Sequence, residues 1–313
     1  MKINLKYSVF YFLLLVSGLS RAQDAYIDSL KLELKKATND TIKLDLLTQL
    51  SNECDLTEIL MYTEPAIEIA EKLLNNNTYP LIKLSIQNKL AQALNDNGYL
   101  YRQQGKTPLA LNYYHQSLKI LESILKEAKT KDHKNQIKRD IASVLLNSGS
   151  SYIDQNEPEI ALENYNKALK LQEEIADSIG IANALFDIGN IYSGTGDFKK
   201  AYSYNVKCLT LYEHFGQKIG ASNCLNNLAF YFRKEGDLIK AREYLFKSLR
   251  LRKEMGDQRS IASSYFNLAD NYLNFAKKTN DLQSKQKNYL IALAYSDSSL
   301  GLSKKFHLIF EIS

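Results

Sequence analysis

The chain has 313 residues, of which 45% are hydrophobic and 24% charged, with 4 Pro, 13 Gly and no Trp. This composition excludes a disordered chain and is typical of an ordered protein rich in helix formers. The formal net charge of +5 falls to +2 once the first 22 residues, which hold three basic residues, are set aside. A chain that is nearly neutral gives no electrostatic reason to expect nucleic acid as a partner.

The first 22 residues have the features of an export signal. Lys2 and Lys6 precede an apolar run from about Tyr7 to Leu19, and Ser20 and Ala22 are small residues at −3 and −1 of a cleavage site. This pattern predicts a signal peptide cut after Ala22, hence a periplasmic or secreted protein. The apolar run is shorter than the roughly 20 residues of a membrane span, and an uncleaved N-terminal anchor is the alternative. A membrane contact is expected only with that anchor, or if the natural chain continues.

Internal repeats dominate the rest of the chain. Five segments share a large residue, a small residue four positions later and an aromatic residue three after that. The small residues are the repeat centres, spaced by 51, 40, 40 and 40: Gly98, Gly149, Gly189, Ala229 and Ala269. Twelve residues after the first four centres stand Ala110, Ala161, Ala201 and Ala241, and seven residues later Ser117, Ala168, Cys208 and Ser248. The spacing predicts two helices, A and B, in each repeat, with small residues where helices approach closely.

Turn residues separate the predicted helices. Gly105, Gly196 and Gly236 follow helix A, and Asn156 takes the same place in the second repeat. Glycine and asparagine are the residues that best tolerate the left-handed backbone after a helix. Asp197 and Asp237 come next, where we expect them to cap helix B.

This pattern resembles the tetratricopeptide repeat family, with repeats lengthened to about 40 residues. The resemblance covers about residues 41–302 and implies an all-α fold, a right-handed superhelical solenoid of antiparallel helix pairs. We expect a helical lead-in over 23–40 and repeats at about 41–75, 81–128, 137–176, 181–216, 221–256 and 261–305, with a further repeat starting at 306–313. The apolar end from Phe306 to Phe310 is not a polar cap, which indicates a truncated array or a docking end.

Two insertions interrupt the period. Residues 126–138 carry 11 extra residues and predict either a prolonged helix B or a solvated loop. Residues 275–287 fall between helices A and B of the last repeat, where either a lid at the mouth of the groove or a tolerated surface insertion is expected.

No pattern of catalytic residues is present. The four histidines are far apart, and the sequence has no HExxH, G-x-S-x-G, phosphate loop or paired CxxC. We therefore predict no catalytic residue, no metal site and no cofactor. Three cysteines are too few for a disulfide framework, and small buried residues are the default interpretation, with a Cys208–Cys224 bridge as the alternative.

A stacked array turns its A helices toward a concave groove, and positions −6, −2, +1 and +5 from each repeat centre face it. Of these twenty residues seven are Asn and four are Asp, and Lys234 alone is basic. Asparagine offers a donor and an acceptor to the backbone of an extended peptide, and Tyr99 and Phe230 offer apolar anchors. The candidate binding residues are Asp96, Tyr99, Asn147, Asn183, Asp187, Asn190, Asn223, Asn227, Phe230, Asn267 and Asp270. A solvated concave face that binds nothing is the plain alternative.

Three classes of function follow. The first is a non-catalytic scaffold outside the cytoplasmic membrane that binds a protein or extended peptide, with a neutral or basic segment favoured and no nucleic acid. The second, implied by the resemblance, is the exported sensor half of a bacterial membrane protein whose output domain is a histidine kinase or a helix-turn-helix regulator. The third is an enzyme, which has no constellation of residues to support it. The sequence leaves the oligomeric state open.

Overall fold

A computed structural model describes residues 23–76 and 82–310, and the side chains as far as residue 305. The predicted signal peptide, residues 1–22, lies outside the described residues. Within the described part of the chain every regular element is helical. None of these described helices combines the length and the apolar character that a membrane crossing requires.

The helices follow one another with short connections. Helix α1 covers residues 23–36. It is followed by α2 (Asp40–Glu53), a 3-10 turn (Leu56–Glu58), α3 (Ile59–Asn75), α4 (Lys83–Gln103), α5 (Thr107–Glu127), α6 (Lys131–Asp154), α7 (Pro158–Glu174), α8 (Ser178–Gly194), α9 (Phe198–His214), α10 (Lys218–Lys234), α11 (Leu238–Met255), α12 (Gln258–Lys278) and α13 (Leu282–Phe310). The fold is an all-α repeat solenoid, as the residue spacing predicts.

The chain divides into two compact units, Met1–Ala161 and Leu162–Ser313. In the N-terminal unit consecutive helices from α2 to α6 pack on one another. Its main core contains residues of the four helices α1, α2, α3 and α4, among them the fully buried Leu44, Leu50 and Ala70. The small repeat centre Gly98 allows the ring of Tyr114 to lie against α4, because a Cβ on Gly98 would be 2.5 Å from that ring.

The C-terminal unit repeats this arrangement from α8 to α13. One core cluster contains Ala182, Cys208 and Cys224, and another contains Ala229 and Leu268. Small residues of helix B therefore meet small residues of the next helix A, as the spacing predicts. Larger side chains fill the space on either side of these close contacts.

The turn predictions are confirmed. Gly105, Gly196 and Gly236 have φ of 73°, 84° and 85°, and Asn156 has φ of 60° in the equivalent turn. The carboxylates of Asp197 and Asp237 accept hydrogen bonds from the backbone N–H groups of Lys200 and Lys240, at 3.1 and 3.0 Å. In these turns a residue with positive φ ends helix A, and where an aspartate follows, its carboxylate caps the start of helix B.

Both insertions are helical. Compared with the 17-residue helices α8 and α9, α5 is four residues longer after its alanine and α6 is seven residues longer before its centre. The second insertion also adds four residues to the end of α12 and seven to the start of α13. Four and seven residues are close to one and two helical turns, so the buried stripe keeps its face.

The expectation of a lid over residues 275–287 is therefore wrong, whereas a tolerated surface insertion, the other expectation, agrees with the two lengthened helices. Only residues 279–281 separate α12 from α13, the same length as the turn between α8 and α9. The inserted residues are apolar or helix-forming, so they lengthen the two helices and do not form a separate loop. Helix α13 is also continuous as far as Phe310, so no turn marks the start of a further repeat at residue 306.

Candidate functional site

The eleven candidate residues lie on one face of the A helices, which we call the A face. None of them is buried, and Tyr99 has 39% of its surface exposed. Asp96, Tyr99 and Asn147 belong to the N-terminal unit, and the other eight belong to the C-terminal unit. Each unit has its own pocket on this face.

The N-terminal pocket has a volume of about 340 Å³ and lies between α4, α5 and α6. Asp96 and Asp140 line it together with the amide side chains of Gln92 and Asn95. Burial raises the pKa of Asp96 to about 6 and also raises the pKa of Asp140. The amide of Asn147 donates to Asn95 Oδ1 at 3.0 Å and so connects α6 to α4. The pocket combines two desolvated carboxyl groups with neutral amides, which suits a cationic or polar group.

An ion pair lies on the same face. Arg102 in α4 donates through Nε to Asp154 in α6 at 2.6 Å. The sequence pattern placed Asp154 on the A face but left out Arg102, four residues after the repeat centre. Its long side chain reaches the face from the flank of the helix.

The C-terminal pocket has a volume of about 410 Å³ and contains three of the candidate residues, Asn227, Phe230 and Asn267. Ser193 from α8, Leu245 from α11 and Asn271 from α12 also line it. The amide oxygen of Asn271 has no hydrogen-bond partner among the described residues, and its amide nitrogen donates to the carbonyl of Leu238 at 3.2 Å. The pocket therefore holds polar atoms next to the apolar ring of Phe230.

Three asparagines form a network beside this pocket. The amide nitrogen of Asn227 donates to Asn190 Oδ1 at 2.7 Å and to Asn205 Oδ1 at 3.0 Å. Asn205 is 2% exposed and donates to the carbonyl of Ala201 at 2.8 Å. A Cβ on Gly189 would be 2.9 Å from Asn205 Nδ2, so the glycine centre makes room for this amide. The network fixes the orientation of Asn190 and Asn227 on the A face.

Positive charge surrounds Phe230. The guanidinium of Arg233 and the ammonium of Lys234 lie 5.0 and 5.2 Å from the centroid of its ring. Arg233 also forms an ion pair with Asp270 in the next A helix. The expectation that Lys234 is the single basic residue of this face is wrong, because Arg233 also lines the pocket. Its partner Asp270 neutralises it, so the pocket carries little net charge.

Other candidate residues support the packing of the helices. Asn183 Oδ1 accepts a hydrogen bond from the hydroxyl of Tyr212 at 2.6 Å. Asn223 Oδ1 accepts one from the guanidinium of Arg252 at 3.0 Å, and Arg252 is only 5% exposed. Asn267 instead lines the C-terminal pocket.

Sequence reasoning missed the buried amides Asn205 and Asn271. A signal was available, because Asn205 occupies the position that holds Tyr114, Tyr165 and Leu245 in other repeats. An amide at a position that is otherwise large and apolar indicates a buried polar partner. In the part of the chain that is described, His, Cys, Asp and Glu side chains nowhere gather in threes as metal ligands would.

Consecutive helix pairs, small residues at their contacts and a polar A face define an α-helical repeat protein. Profiles of the tetratricopeptide repeat match residues 87–133 and 140–214. These residues therefore form tetratricopeptide repeats. No curated protein sequence matches it significantly.

Solved structures with a similar fold have little sequence in common with the chain. BtubC (BKLC) from P. vanneervenii is 16% identical with a TM-score of 0.59, over 81% of this chain and 93% of that protein. The apo form of RapI is 17% identical with a TM-score of 0.57, over 85% and 99%. A Rap protein complexed with competence and sporulation factor is 15% identical with a TM-score of 0.58, over 98% and 80%. At these identities the likeness establishes the fold.

Proposed function

We propose that this chain is a non-catalytic scaffold that binds an extended protein segment on its A face, outside the cytoplasmic membrane. The observation that carries the proposal is the pair of amides, Asn190 and Asn227, fixed next to Phe230 at an open pocket. A scaffold needs groups of this kind, and needs them held in place before the ligand arrives.

The two amides offer complementary hydrogen-bonding groups. Both N–H groups of Asn227 are used within the protein, so its Oδ1 is left as an acceptor. Asn190 accepts through Oδ1 and therefore offers its amide N–H groups. A peptide unit has one N–H and one C=O, which match this acceptor and donor without demands on the ligand side chain.

Phe230 supplies the apolar part of the same site. Its ring is held by Arg233 and Lys234 on its faces and by Phe198 at 5.9 Å in an edge arrangement. A ring that is fixed in this way loses little conformational freedom on binding. Because Arg233 is paired with Asp270, we expect the C-terminal pocket to favour a neutral segment with an apolar side chain.

The N-terminal pocket indicates which charge the ligand should carry there. Asp96 and Asp140 are desolvated carboxyl groups in a pocket whose other polar lining is neutral. A lysine, an arginine or an amino terminus in the ligand would restore the stabilisation that these carboxyl groups lost on burial. The N-terminal pocket by itself therefore favours a basic group of the ligand.

Protein binding by the same fold supports this function. The similar Rap structure was determined in complex with competence and sporulation factor. Export is supported by the sequence from Lys2 to Ala22. It is tested by expressing the whole chain in a bacterium and sequencing the amino terminus of the mature protein, which we expect to begin at Gln23. A protein that keeps Met1 and remains in the cytoplasm would contradict export.

Capture of the partner tests the binding function. The full chain is immobilised, exposed to envelope extract, and compared with a variant in which Asn190 and Asn227 are both changed to Ala. We expect the captured protein to be lost with this variant. The control is Asn166→Ala, since Asn166 is exposed on α7 and its amide donates to the carbonyl of Leu162 within the same helix. Equal capture by all three proteins would remove the A face as the binding site.

A further inference from the structure

Two cysteines meet between the repeats whose centres are Gly189 and Ala229. Cys208 in α9 and Cys224 in α10 are both 0% exposed, and their sulfur atoms are 2.7 Å apart. This separation is less than 1 Å longer than the roughly 2.05 Å of a disulfide bond. Both residues are free thiols in this structure.

The position of the pair in the repeat explains why the sulfurs are so close. Cys208 is seven residues after Ala201 in helix B, and Cys224 is five residues before the centre of the next helix A. The equivalent pairs in the C-terminal unit are Ala168 with Ala184 and Ser248 with Ser264, all of them buried. Only small side chains fit at this helix contact, and cysteine is the small residue that can also form a bond across it.

We propose that Cys208 and Cys224 form a disulfide in the native protein, as a covalent link between consecutive repeats. One turn away the same helices are already joined by the hydrogen bond from Asn227 to Asn205 at 3.0 Å. The thiol of Cys208 also contacts the carbonyl of Asn205 at 3.3 Å. The two helices are thus held in register by contacts on the same side, and closing the bond needs only a small movement of the sulfur atoms.

Burial of the two thiols determines when the disulfide bond forms. The contact with Cys208 and burial raise the pKa of the Cys224 thiol, which disfavours its thiolate in the folded protein. Both thiols are also 0% exposed, so an oxidant can reach them only before the repeats have packed, and the bond forms while the chain folds. One cysteine thiolate attacks the disulfide of an oxidant such as oxidised glutathione or a thiol oxidoreductase, which forms a mixed disulfide and releases one thiol of the oxidant. The second cysteine then attacks this mixed disulfide and releases the other thiol. Two electrons pass to the oxidant, which leaves as two thiols that take up the protons. Cys54, in the N-terminal unit, remains the free thiol.

Thiol counting on the full chain tests the proposal. The protein is unfolded, refolded in a buffer of oxidised and reduced glutathione, and then alkylated in denaturant for mass spectrometry. We expect one alkylated cysteine, Cys54, and a peptide pair linked through Cys208 and Cys224. After reduction all three cysteines of the sequence become alkylated. Three alkylated cysteines after oxidative refolding, or a bridge that contains Cys54, would overturn the proposal.

A matched variant separates the bond from the packing of the side chains. Cys208→Ser with Cys224→Ser copies the pair that the next repeat already has, Ser248 and Ser264. We expect the midpoint of thermal unfolding of the native sequence to fall by several degrees when the protein is reduced, and the midpoint of the double variant to stay unchanged. An equal shift in both proteins would show that the linked pair contributes nothing.

Discussion

Buried polar side chains distinguish this repeat array at the scale of single residues. Asn205, Asn271 and Arg252 are 2%, 1% and 5% exposed. Asn271 and Arg252 donate hydrogen bonds to neighbouring helices, and Asn205 accepts one from Asn227. A buried polar group without partners costs stability, whereas a satisfied one fixes how the elements meet. These residues determine the geometry that presents the A face.

Arg252 is expected to be the most sensitive of them. Its guanidinium donates to the carbonyl of Ser260, to Ser264 Oγ and to Asn223 Oδ1, at 3.0, 2.9 and 3.0 Å. Arg252→Ala leaves these acceptors in a cavity and should lower the free energy of unfolding by about 2–4 kcal/mol. Urea unfolding measures this change. Arg250→Ala, at an exposed position of the same helix, should change it by less than about 0.5 kcal/mol.

Ionisation of the Asp96 carboxyl group should lower the free energy of unfolding at neutral pH. Burial raises its pKa from 3.8 to about 6, so the folded state holds the proton more tightly than the unfolded state. The resulting stabilisation is complete below about pH 4 and is lost as the pH rises through 6. Asp96→Asn should therefore unfold with a free energy about 1–3 kcal/mol higher than the native sequence at pH 7, and with an equal one at pH 3.5.

Urea titrations of the two proteins at both pH values measure this difference. The exposed carboxyl Asp297 provides the control, since Asp297→Asn should have no such effect. Equal stability of the Asp96→Asn variant and the native sequence at pH 7 would show that the carboxyl is not desolvated. A residue that lines a pocket and weakens the fold is typical of a residue kept for binding.

The candidate site was predictable only in part at this scale. The spacing rule brought Asn227, Phe230 and Asn267 to one pocket, because these positions share a helical face. It left out Arg102 and Arg233, since both reach the face from four residues after the repeat centre with long side chains. It also treated Asn183 and Asn223 as ligand contacts, although each has its oxygen engaged by a buried side chain.

At the scale of the helices, the insertions show how a repeat is lengthened without losing its packing. Each adds four residues to one helix and seven to the next. Insertions close to whole turns keep the buried stripe facing the core. An insertion of two or five residues would instead rotate the stripe by roughly half a turn, away from the core. The sequence showed the number of added residues but not their structure, because charged residues suit an exposed helix as well as a loop.

The turns offer a prediction at the same scale. Ala176 has φ of 54° at the position where Gly216 and Gly256 have φ of 67° and 72°. An L-residue in this conformation costs about 1–2 kcal/mol. Ala176→Gly should therefore raise the free energy of unfolding by about 0.5–1 kcal/mol after the loss of chain entropy. Chemical unfolding measures the gain.

The matched control is the same substitution within a helix. Ala294→Gly, at an exposed position of α13, should lower the free energy of unfolding by about 0.5–1 kcal/mol. Opposite signs for the two changes identify the backbone conformation as the cause. A loss of stability in both would contradict the strain at Ala176.

For the whole molecule, the fold followed from the sequence because one pattern of small and large residues recurs five times. Each repeat is too small to bury its own hydrophobic surface, so a stack is the structure that satisfies all of them. The identity of a partner does not follow in this way. It depends on which polar atoms of the A face remain available after the protein has satisfied its own hydrogen bonds.

Peptide affinity tests the central claim most directly. A library of random peptides displayed on phage is selected on the full chain, and the affinities of the enriched peptides are measured by calorimetry. The account predicts that Asn190→Ala with Asn227→Ala weakens binding at least about tenfold, and that Asn166→Ala leaves it unchanged. Enriched peptides that bind all three proteins with equal affinity, or a selection that enriches none, would contradict the A face as a site for an extended segment.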